Sequence, residues 1–294
     1  MNYLEVLENE SIDIIRNAVS KASNPVMLTS LGKDSSVLFH LIKKAFFPSK
    51  IPFPLMHIDT NWKFKEMYEY RDNLINDNSE EFIIFKNETG ISKGINPVDY
   101  SPEIHTRIMK TEALLESLNK YKFDVVFGGS RRDEEKSRAK ERLISLRDEN
   151  HSWDPKKQNP EIGGIYNNLL KENMSARIFP LSNWTELDIW RYIYLESIEV
   201  VDLYFAKKRK VYEKDKQFFY LNDDRLKINN FSFETVRFRT LGCHPLTACI
   251  KSSAKNIEEV ITELESTKYS ERSGRIIDFQ KNDSMEKKKK EGYF

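Results

Sequence analysis

Short apolar segments alternate with amphipathic helical patterns throughout the first half of this sequence. Four segments have the length and apolar character of buried strands, at residues 26–29, 54–58, 82–85 and 123–127. Each is followed by a helical pattern, at residues 37–45, 64–75, 107–121 and 133–147, and residues 2–22 predict a helix before the first strand. This order predicts an α/β fold whose parallel sheet is covered by helices on both faces.

The pattern changes after residue 150. Residues 151–168 contain turn-forming residues without a clear period, which predicts a long loop. Further elements are a strand at residues 177–181, a helix capped by Thr185 and Asp188, a hairpin around residues 218–221 and a helix at residues 257–264. We therefore predict two parts, an α/β domain at residues 1–198 and a smaller, mixed and partly irregular C-terminal appendage at residues 199–294.

Composition excludes several classes of function. The 294 residues contain 47 Lys and Arg against 46 Asp and Glu, so the net charge of +1 gives no global electrostatic case for binding nucleic acid or a membrane surface. Neither an apolar run of eighteen residues nor a secretory signal is evident. Cys243 and Cys249 are too few for a disulfide framework, which predicts a reducing, cytoplasmic setting.

The loop after the first strand has the features of an anion site. It consists of Ser30, Leu31, Gly32, Lys33, Asp34 and Ser35, and a helical pattern follows it. Backbone amides at a helix start point outward, and the helix dipole favours negative charge there. The loop is not a Walker A motif, because Asp34 stands where Ser or Thr should follow the lysine. On local sequence alone, an ordinary turn before a capped helix is an equal alternative.

Charged and small residues also follow the other predicted strands. Asp59 and Thr60 end the second strand, and Gly128 and Gly129 end the fourth. In parallel sheets, ligands gather at these carboxyl ends. The next residues, Arg131 and Arg132, have planar guanidinium groups that suit tetrahedral oxyanions. The alternative for the arginines is a solvated helix start, and it is equally favoured for Arg138 and Lys140. The alternative for Asp59 is a helix cap.

Several blocks of the sequence resemble known proteins. The loop at residues 30–35 resembles the pyrophosphate loop of the ATP-pyrophosphatase superfamily, usually SGGxDS, with Leu31 in place of the first glycine. Longer blocks resemble the small, ATP-binding subunit of the bacterial heteromeric sulfate adenylyltransferases: residues 57–64, 127–138, 179–190, 237–243, 270–275 and 284–294. This resemblance runs essentially from end to end.

The resemblance implies a fold of the adenine nucleotide alpha hydrolase type and a defined reaction. ATP, carrying Mg²⁺, would react with sulfate to give adenosine 5′-phosphosulfate and pyrophosphate, coupled to GTP on a GTPase large subunit that contacts residues 199–294. The implied catalytic residues are Lys33, Arg131 and Arg132. The implied nucleotide-binding residues are Ser30, Leu31, Gly32, Asp34, Ser35, Asp59, Thr60, Gly128 and Gly129.

Other functions remain as alternatives. A related reductase of adenylylated sulfate would need a reactive cysteine in a C-terminal segment, whereas the last cysteine here is Cys249. An RNA-thiolating enzyme would need a basic surface and catalytic cysteines. A non-catalytic nucleotide-binding scaffold for the GTPase is a third possibility. The spacing of Cys243, His244 and Cys249 fits no standard zinc pattern, so we expect no protein metal site.

Overall fold

The computed structural model describes residues 2–134, 138, 143–158 and 174–266. Its helices are α1 (Tyr3–Val19), α2 (Lys33–Phe46), α3 (Lys65–Asp77), α4 (Glu88–Ser92), α5 (Pro102–Thr106), α6 (Ala113–Tyr121), α7 (Glu186–Leu195) and α8 (Ile257–Glu265). A π-helical segment, Arg107–Glu112, joins α5 to α6, and 3-10 turns lie at Pro155–Lys157 and Asp202–Tyr204. The sequence blocks at residues 270–275 and 284–294 lie outside the described residues.

The first half of the chain forms a six-stranded sheet. Its strands are β1 (Pro25–Leu28), β2 (Leu55–Ile58), β3 (Phe82–Phe85), β4 (Val125–Phe127), β5 (Ile144–Arg147) and β6 (Ser175–Ile178). They are ordered β3-β2-β1-β4-β6-β5, and all neighbouring pairs are parallel except β5 and β6. The predicted parallel α/β sheet is confirmed, with one antiparallel strand added at its edge.

Helices cover both faces of this sheet, as the sequence predicts. On one face, Met27 and Phe127 belong to a buried cluster that includes side chains of α1, α2 and α7. On the other face, Val26 and Met56 pack with Leu114 and Leu118 of α6. Because successive strand residues point to opposite faces, short apolar strands such as β1 and β4 pack against both helical layers.

The predicted cap of α7 is confirmed. The Thr185 hydroxyl accepts a hydrogen bond from the amide of Asp188 at 3.2 Å, and the Asp188 carboxylate accepts one from the amide of Thr185 at 2.9 Å. This reciprocal capping box satisfies two amides at the helix start. Among the helices of the described residues, none combines the length and apolar character that crossing a membrane requires.

The second half forms a four-stranded antiparallel sheet ordered β10-β9-β7-β8. Its strands are β7 (Lys207–Lys214), β8 (Gln217–Tyr220), β9 (Ser232–Arg237) and β10 (Ile250–Lys251). The predicted hairpin is confirmed as β7 and β8, joined by Asp215 and Lys216 with φ of 51° and 61°, values typical of a two-residue hairpin turn. Phe238, which follows β9, belongs to the same buried cluster as Phe64, and their ring centroids are 4.9 Å apart.

The predicted helix at residues 133–147 is wrong at its C-terminal end. Residues 135–137 and 139–142 lie outside the described residues, but Ile144–Arg147 is strand β5, antiparallel to β6. Leu146 pairs with Ala176 in this register, and the carbonyl of Leu143 accepts from the amide of Phe179 at 2.9 Å. The free edge of β6 therefore supplies hydrogen-bond partners that override the helical pattern of charges.

Candidate active site

A cavity of about 180 Å³ opens at the carboxyl ends of β1, β2 and β4. Its walls are Leu28, Thr29, Ser30, Gly32, Lys33, Asp34, Ser35, Met56, His57, Ile58, Lys63, Lys110, Leu114, Gly128, Gly129, Ser130, Glu134, Arg138, Tyr204, Thr240, Leu241, Gly242 and Cys243. Both halves of the chain therefore line one cavity. The first half contributes residues around the carboxyl ends of β1, β2 and β4, and the second half contributes residues 204 and 240–243.

The cavity brings together part of the predicted site. Seven predicted residues line it: Ser30, Gly32, Lys33, Asp34, Ser35, Gly128 and Gly129. Five others do not belong to its lining: Leu31, Asp59, Thr60, Arg131 and Arg132. The sequence pattern singled out the loops correctly as neighbours in space, but burial and hydrogen bonding decide which side chains of each loop reach the cavity.

The loop after β1 keeps its shape through internal hydrogen bonds. The Ser35 hydroxyl accepts from the amide of Gly32 at 3.0 Å and donates to the carbonyl of the same residue at 2.8 Å. The amide of Lys33 donates to the hydroxyl of Tyr204 at 2.9 Å. Two protein hydroxyls thus accept from the amides at the start of α2, the place where a bound phosphate would be stabilised.

Two cations bind Asp34 at the loop. The ammonium of Lys33 lies 3.2 Å from one carboxylate oxygen, and the guanidinium Nε of Arg131 lies 2.7 Å from the other. Arg131 also pairs with Asp133 at 3.2 Å, and its side chain is fully buried. Arg131 therefore fixes the loop through Asp34 and has no direct access to the cavity.

Gly129 allows the two glycine-containing loops to touch. A Cβ atom at residue 129 would lie 3.1 Å from the backbone carbon of Asp34 and 3.2 Å from the amide nitrogen of Ser35. Backbone atoms cannot move aside as a flexible side chain can, so a larger residue would push the loops apart. The glycine turn after β4 therefore serves packing against the loop as well as lining the cavity.

The family resemblance implies a catalytic role for Arg132, but the structure places Arg138 in the cavity wall and Arg132 outside it. The guanidinium of Arg132 donates to the Asn183 side chain at 3.1 Å in an exposed region. Arg138 is buried in the cavity wall, where its Nε lies 3.2 Å from a carboxylate oxygen of Glu134 and its Nη1 donates to the hydroxyl of Ser130. Among Arg131, Arg132 and Arg138, it is thus Arg138 that lines the cavity.

Asp59 organises the loop after β2. Its carboxylate accepts hydrogen bonds from the amide of Asn61 at 2.8 Å and the hydroxyl of Tyr68 at 3.0 Å, and it lies 3.3 Å from the guanidinium of Arg71. Burial opposes ionisation, but the Asn61 amide and the surrounding cations outweigh it and hold the pKa of Asp59 below its ordinary value. Asp59 therefore holds the backbone of the loop after β2 in place without lining the cavity.

His57 is a neutral group in the cavity wall. Its Nδ1–H donates to the carbonyl of Thr29 at 2.9 Å, and its Nε2 has no hydrogen-bond partner among the described residues. Burial and the Lys63 cation lower the pKa of His57 to about 3. The imidazole is therefore uncharged at neutral pH, with Nε2 as an acceptor.

Cys243 and Cys249 are both free thiols, and they lie in different surroundings. Cys243 lies in the cavity wall, with its sulfur 3.3 Å from the Thr60 hydroxyl. Cys249 is buried, donates to the carbonyl of Phe218 at 3.3 Å, and has its pKa raised by burial to about 12. No group of three or more potential metal-binding His, Cys, Asp or Glu residues occurs in residues 2–134, 138, 143–158 and 174–266.

Sequence reasoning missed several cavity residues: Lys63, Lys110, Tyr204, Thr240, Leu241 and Gly242. Lys63 stands inside a block that carries the family resemblance, which was a usable signal. Lys110 belongs to a helical pattern in which any lysine suits a solvated face. Residues 240–242 also stand inside such a block, at residues 237–243, so the same signal was present for them. Tyr204 stands outside these blocks, and its place in the cavity depends on tertiary packing.

Comparisons with known proteins give close relatives. The chain matches the phosphoadenosine phosphosulfate reductase domain over residues 24–249. It is 56% identical to "Sulfate adenylyltransferase subunit 2" of Sulfurimonas denitrificans, covering 100% of this chain and 98% of that protein. It is 55% identical to the protein of the same name from Colwellia psychrerythraea, covering 100% and 99%.

The solved structures that resemble this chain have much lower sequence identity to it than these relatives. The phosphoadenylyl-sulfate (PAPS) reductase from Candida auris has a TM-score of 0.48 and 17% identity, covering 69% of this chain and 91% of that one. The FMN adenylyltransferase from Candida glabrata in complex with ATP has a TM-score of 0.49 and 16% identity, covering 93% and 87%.

Proposed function

This chain belongs to the sulfate adenylyltransferase subunit 2 family, and from that premise we propose that it transfers the adenylyl group of ATP to sulfate. The products would be adenosine 5′-phosphosulfate and pyrophosphate. The name subunit 2 of the relatives implies a heteromeric enzyme. We propose that this chain is the subunit that carries out the nucleotidyl transfer.

The charge of the cavity is the observation that carries the proposal. Four cations line it, Lys33, Lys63, Lys110 and Arg138, against the two carboxylates of Asp34 and Glu134. This excess of two positive charges lies beside a helix start whose amides suit phosphate. Such a cavity fits a polyanionic nucleotide together with a second anion.

The reaction requires charge neutralisation and alignment more than proton transfer. A sulfate oxygen attacks the α-phosphorus, the bond from that phosphorus to the oxygen bridging to the β-phosphate breaks, and the electron pair leaves with pyrophosphate. Sulfate is already deprotonated at neutral pH, so the step needs no general base. The neutral state of His57 is compatible with this requirement.

We assign roles from position. Lys33 and the hydroxyls of Ser30 and Ser35 would hold the departing pyrophosphate, while Arg138 would neutralise charge as it shifts toward the leaving group. The apolar part of the wall suits the adenine ring and consists of Leu28, Met56, Ile58 and Leu114. Arg131 and Asp59 position these loops from outside the cavity.

Mg²⁺ would arrive with ATP. This ion prefers oxygen ligands and usually binds through one or two carboxylates plus substrate phosphates. The carboxylates of the cavity wall, Asp34 and Glu134, each bind a cation already. The donor set therefore fits an ion held chiefly by the nucleotide phosphates, where it would offset their charge.

The partner would supply the driving force. A phosphosulfate anhydride is a high-energy product, so its accumulation needs coupling to another reaction. We propose that this reaction is GTP hydrolysis on a large GTPase subunit that contacts residues 199–294. Dependence on ATP and the two free thiols, Cys243 and Cys249, favour a cytoplasmic location.

The test is sulfate-dependent release of pyrophosphate from ATP by the chain assembled with its partner, with and without GTP. We expect the isolated chain to bind ATP and form little product, and the complex with GTP to form much more. Gly32→Val should weaken ATP binding, because a Cβ at residue 32 would lie 3.2 Å from the Tyr204 hydroxyl and 3.3 Å from that of Ser30. Ser35→Ala should do the same, and exposed Ser49→Ala serves as control. Sulfate-independent release, or unchanged ATP affinity in both loop variants, would contradict the proposal.

Reductive cleavage of an adenylylated sulfate is the second candidate, because the matched domain is named for that activity. It would require a reactive thiol near the nucleotide, and Cys243 is the thiol in the cavity wall. We expect Cys243→Ser combined with Cys249→Ser to retain adenylyl transfer within about tenfold, or about 1.4 kcal/mol of barrier. Complete loss of turnover in a folded double variant would favour the reductase.

A further inference from the structure

We propose that Arg225 is a positioning residue for the cavity wall, although it does not belong to the lining itself. It lies in the segment between β8 and β9 and braces the loop after β2, residues 59–64, from outside the cavity. The inference rests on the proposed function, because its readout is the binding and turnover of ATP. It gives the second half of the chain a part in holding the nucleotide wall.

The guanidinium of Arg225 contacts two consecutive residues of this loop. It stacks on the Trp62 indole, with its central carbon 3.7 Å from the ring centroid, and it donates to the carbonyl of Asn61 at 3.1 Å. Asn61 has a φ of 59°, in the left-handed region that few residues other than glycine adopt. One planar cation therefore holds both the bend of the loop and the ring that follows it.

Asp223 fixes the guanidinium in this position. Its two carboxylate oxygens lie 2.9 and 3.0 Å from Nε of Arg225, and one of them accepts from the backbone amide of Arg225 at 2.9 Å. The Arg225 side chain is 48% exposed, so without this pair it would change rotamer freely. The segment is also attached to α3, because the side chains of Asn222 and Tyr220 donate to the Glu66 carboxylate at 2.8 and 3.0 Å. The arginine is thus preorganised on an anchored segment.

The braced loop is continuous with the cavity wall. The carbonyl of Trp62 accepts from the amide of His244 at 2.8 Å, and the Thr60 hydroxyl lies 3.3 Å from the sulfur of Cys243. Lys63 and Cys243, which are the chain neighbours of Trp62 and His244, both line the cavity. A displacement of Trp62 would therefore move wall residues from both halves of the chain.

The position of the loop predicts which kinetic constant depends on Arg225. The loop directly follows Met56 and Ile58 of β2, which belong to the apolar wall that we assign to the adenine ring. Contacts to the adenine side of ATP are the same before and during transfer at the α-phosphorus. Their loss therefore weakens binding of the ground state and the transition state alike, which raises KM and leaves kcat unchanged.

The experiment compares Arg225→Gln with Arg225→Lys, and the matched control is Lys227→Gln, which removes an exposed cation of the same segment. Gln has no charge to pair with Asp223 or to stack on Trp62, whereas Lys keeps the charge without the planar fork. Calorimetry on the full chain should show that Arg225→Gln raises the Kd for ATP about tenfold, or about 1.4 kcal/mol, and that Lys restores part of the affinity. In the complex with partner and GTP, the KM for ATP should rise by a similar factor while kcat stays within about threefold.

A double-variant cycle separates positioning from a purely structural role. Since Arg225 acts through the indole, Arg225→Gln should weaken ATP binding much less in a Trp62→Leu background than in the wild-type chain. Asp223→Asn keeps the arginine but weakens its anchor, so it should raise the Kd for ATP as well. Circular dichroism and thermal melts verify the fold of each variant.

Two results would overturn the proposal. One is an unchanged Kd for ATP in Arg225→Gln, whatever its melting temperature, because a role in stability alone would leave this affinity intact. The other is an equal loss of ATP affinity in the wild-type and Trp62→Leu backgrounds. Failure of the proposed function is distinguishable, since it appears as absent sulfate-dependent release of pyrophosphate in the wild-type complex.

Discussion

Leu31 occupies a backbone conformation that normally favours glycine. Its φ is 62°, in the left-handed region, at the position where the resembled loop usually has glycine. The side chain is 1% exposed and belongs to the main buried cluster. The loop therefore keeps its shape without the glycine, because burial of the leucine offsets a conformational cost of about 1–2 kcal/mol.

Gly and Ala substitutions at Leu31 should reverse their usual order of stability. Both lose the buried side chain, at about 2–5 kcal/mol, but only Gly relieves the left-handed backbone. We expect Leu31→Gly to be more stable than Leu31→Ala by about 1 kcal/mol in the free energy of unfolding. Denaturant titration measures this difference. Helical Ala45→Gly is the control and should lose about 1 kcal/mol; an Ala variant of residue 31 at least as stable as the Gly variant would refute the strain.

Substitutions of Arg131, Arg132 and Arg138 should have different effects on catalysis and stability. Because Arg138 lines the cavity, Arg138→Lys should lower kcat by about tenfold to a hundredfold, or about 1.4–2.7 kcal/mol. Arg131→Lys should lower the melting temperature and weaken ATP binding through Asp34, since the buried pair at 2.7 Å loses its geometry. The sequence interpretation expects the reverse ranking, with the strongest effect at Arg131 or Arg132.

Arg132→Lys is the matched control for these variants, because its guanidinium reaches Asn183 in an exposed region. Steady-state kinetics of the assembled complex and thermal melts of each variant chain separate catalysis from stability. Near-wild-type kcat in Arg138→Lys, together with a large loss in Arg132→Lys, would restore the sequence-based ranking.

At the scale of elements, apolar strands made the first sheet predictable. β1, β2 and β4 are short, largely apolar and flanked by turns, and their central residues are buried, as their composition predicts. β3 lies at the edge of the sheet, where Ile84 is exposed. β5 was missed because Ile144–Arg147 ends a charged pattern and pairs with a strand thirty residues later. The cavity residue Lys110 was missed for a related reason: it lies in the π-helical segment Arg107–Glu112, whose Ile108 carbonyl accepts a hydrogen bond from the Asn87 side chain at 2.9 Å. Side-chain periodicity does not reveal such a segment.

Acid should destabilise the protein partly through His105 of α5. His105 is fully buried, its ring nitrogens have no partner among the described residues, and burial together with the Lys63 cation lowers its pKa to about 4. In the unfolded chain the pKa returns to about 6.5, so the unfolded state binds more protons between pH 6.5 and pH 4. The free energy of unfolding therefore falls as pH falls through this window.

His105→Leu should reduce this acid sensitivity. Between pH 7 and pH 5, the variant should lose about 2 kcal/mol less unfolding free energy than wild type, at about 1.4 kcal/mol per pH unit below 6.5. Urea titrations at pH 7 and pH 5 measure the difference, and exposed Lys65→Gln controls for nonspecific effects. Parallel pH dependence in His105→Leu and wild type would show that His105 titrates alike in the folded and unfolded chain.

At the scale of the whole molecule, one hydroxyl links the two halves at the start of α2. Tyr204 lies in the 3-10 turn between α7 and β7, is buried, and packs edge-to-face on Trp190 at 5.3 Å. Its hydroxyl accepts from the amide of Lys33 at 2.9 Å, and the Lys33 ammonium donates to the carbonyl of Arg239 at 3.4 Å. The loop after β1 is thus held by contacts from the second half of the chain.

Tyr204→Phe tests this dependence. It keeps the ring on Trp190 but removes the acceptor for the Lys33 amide, which should lower the free energy of unfolding without ligand by about 1–3 kcal/mol. A phosphate oxygen of bound ATP can accept from that amide instead, so saturating ATP should raise the melting temperature more in the variant than in wild type. Exposed Tyr194→Phe should show the wild-type increment. Equal increments in Tyr204→Phe and wild type would mean that phosphate does not reach this amide and that the tyrosine only joins the halves.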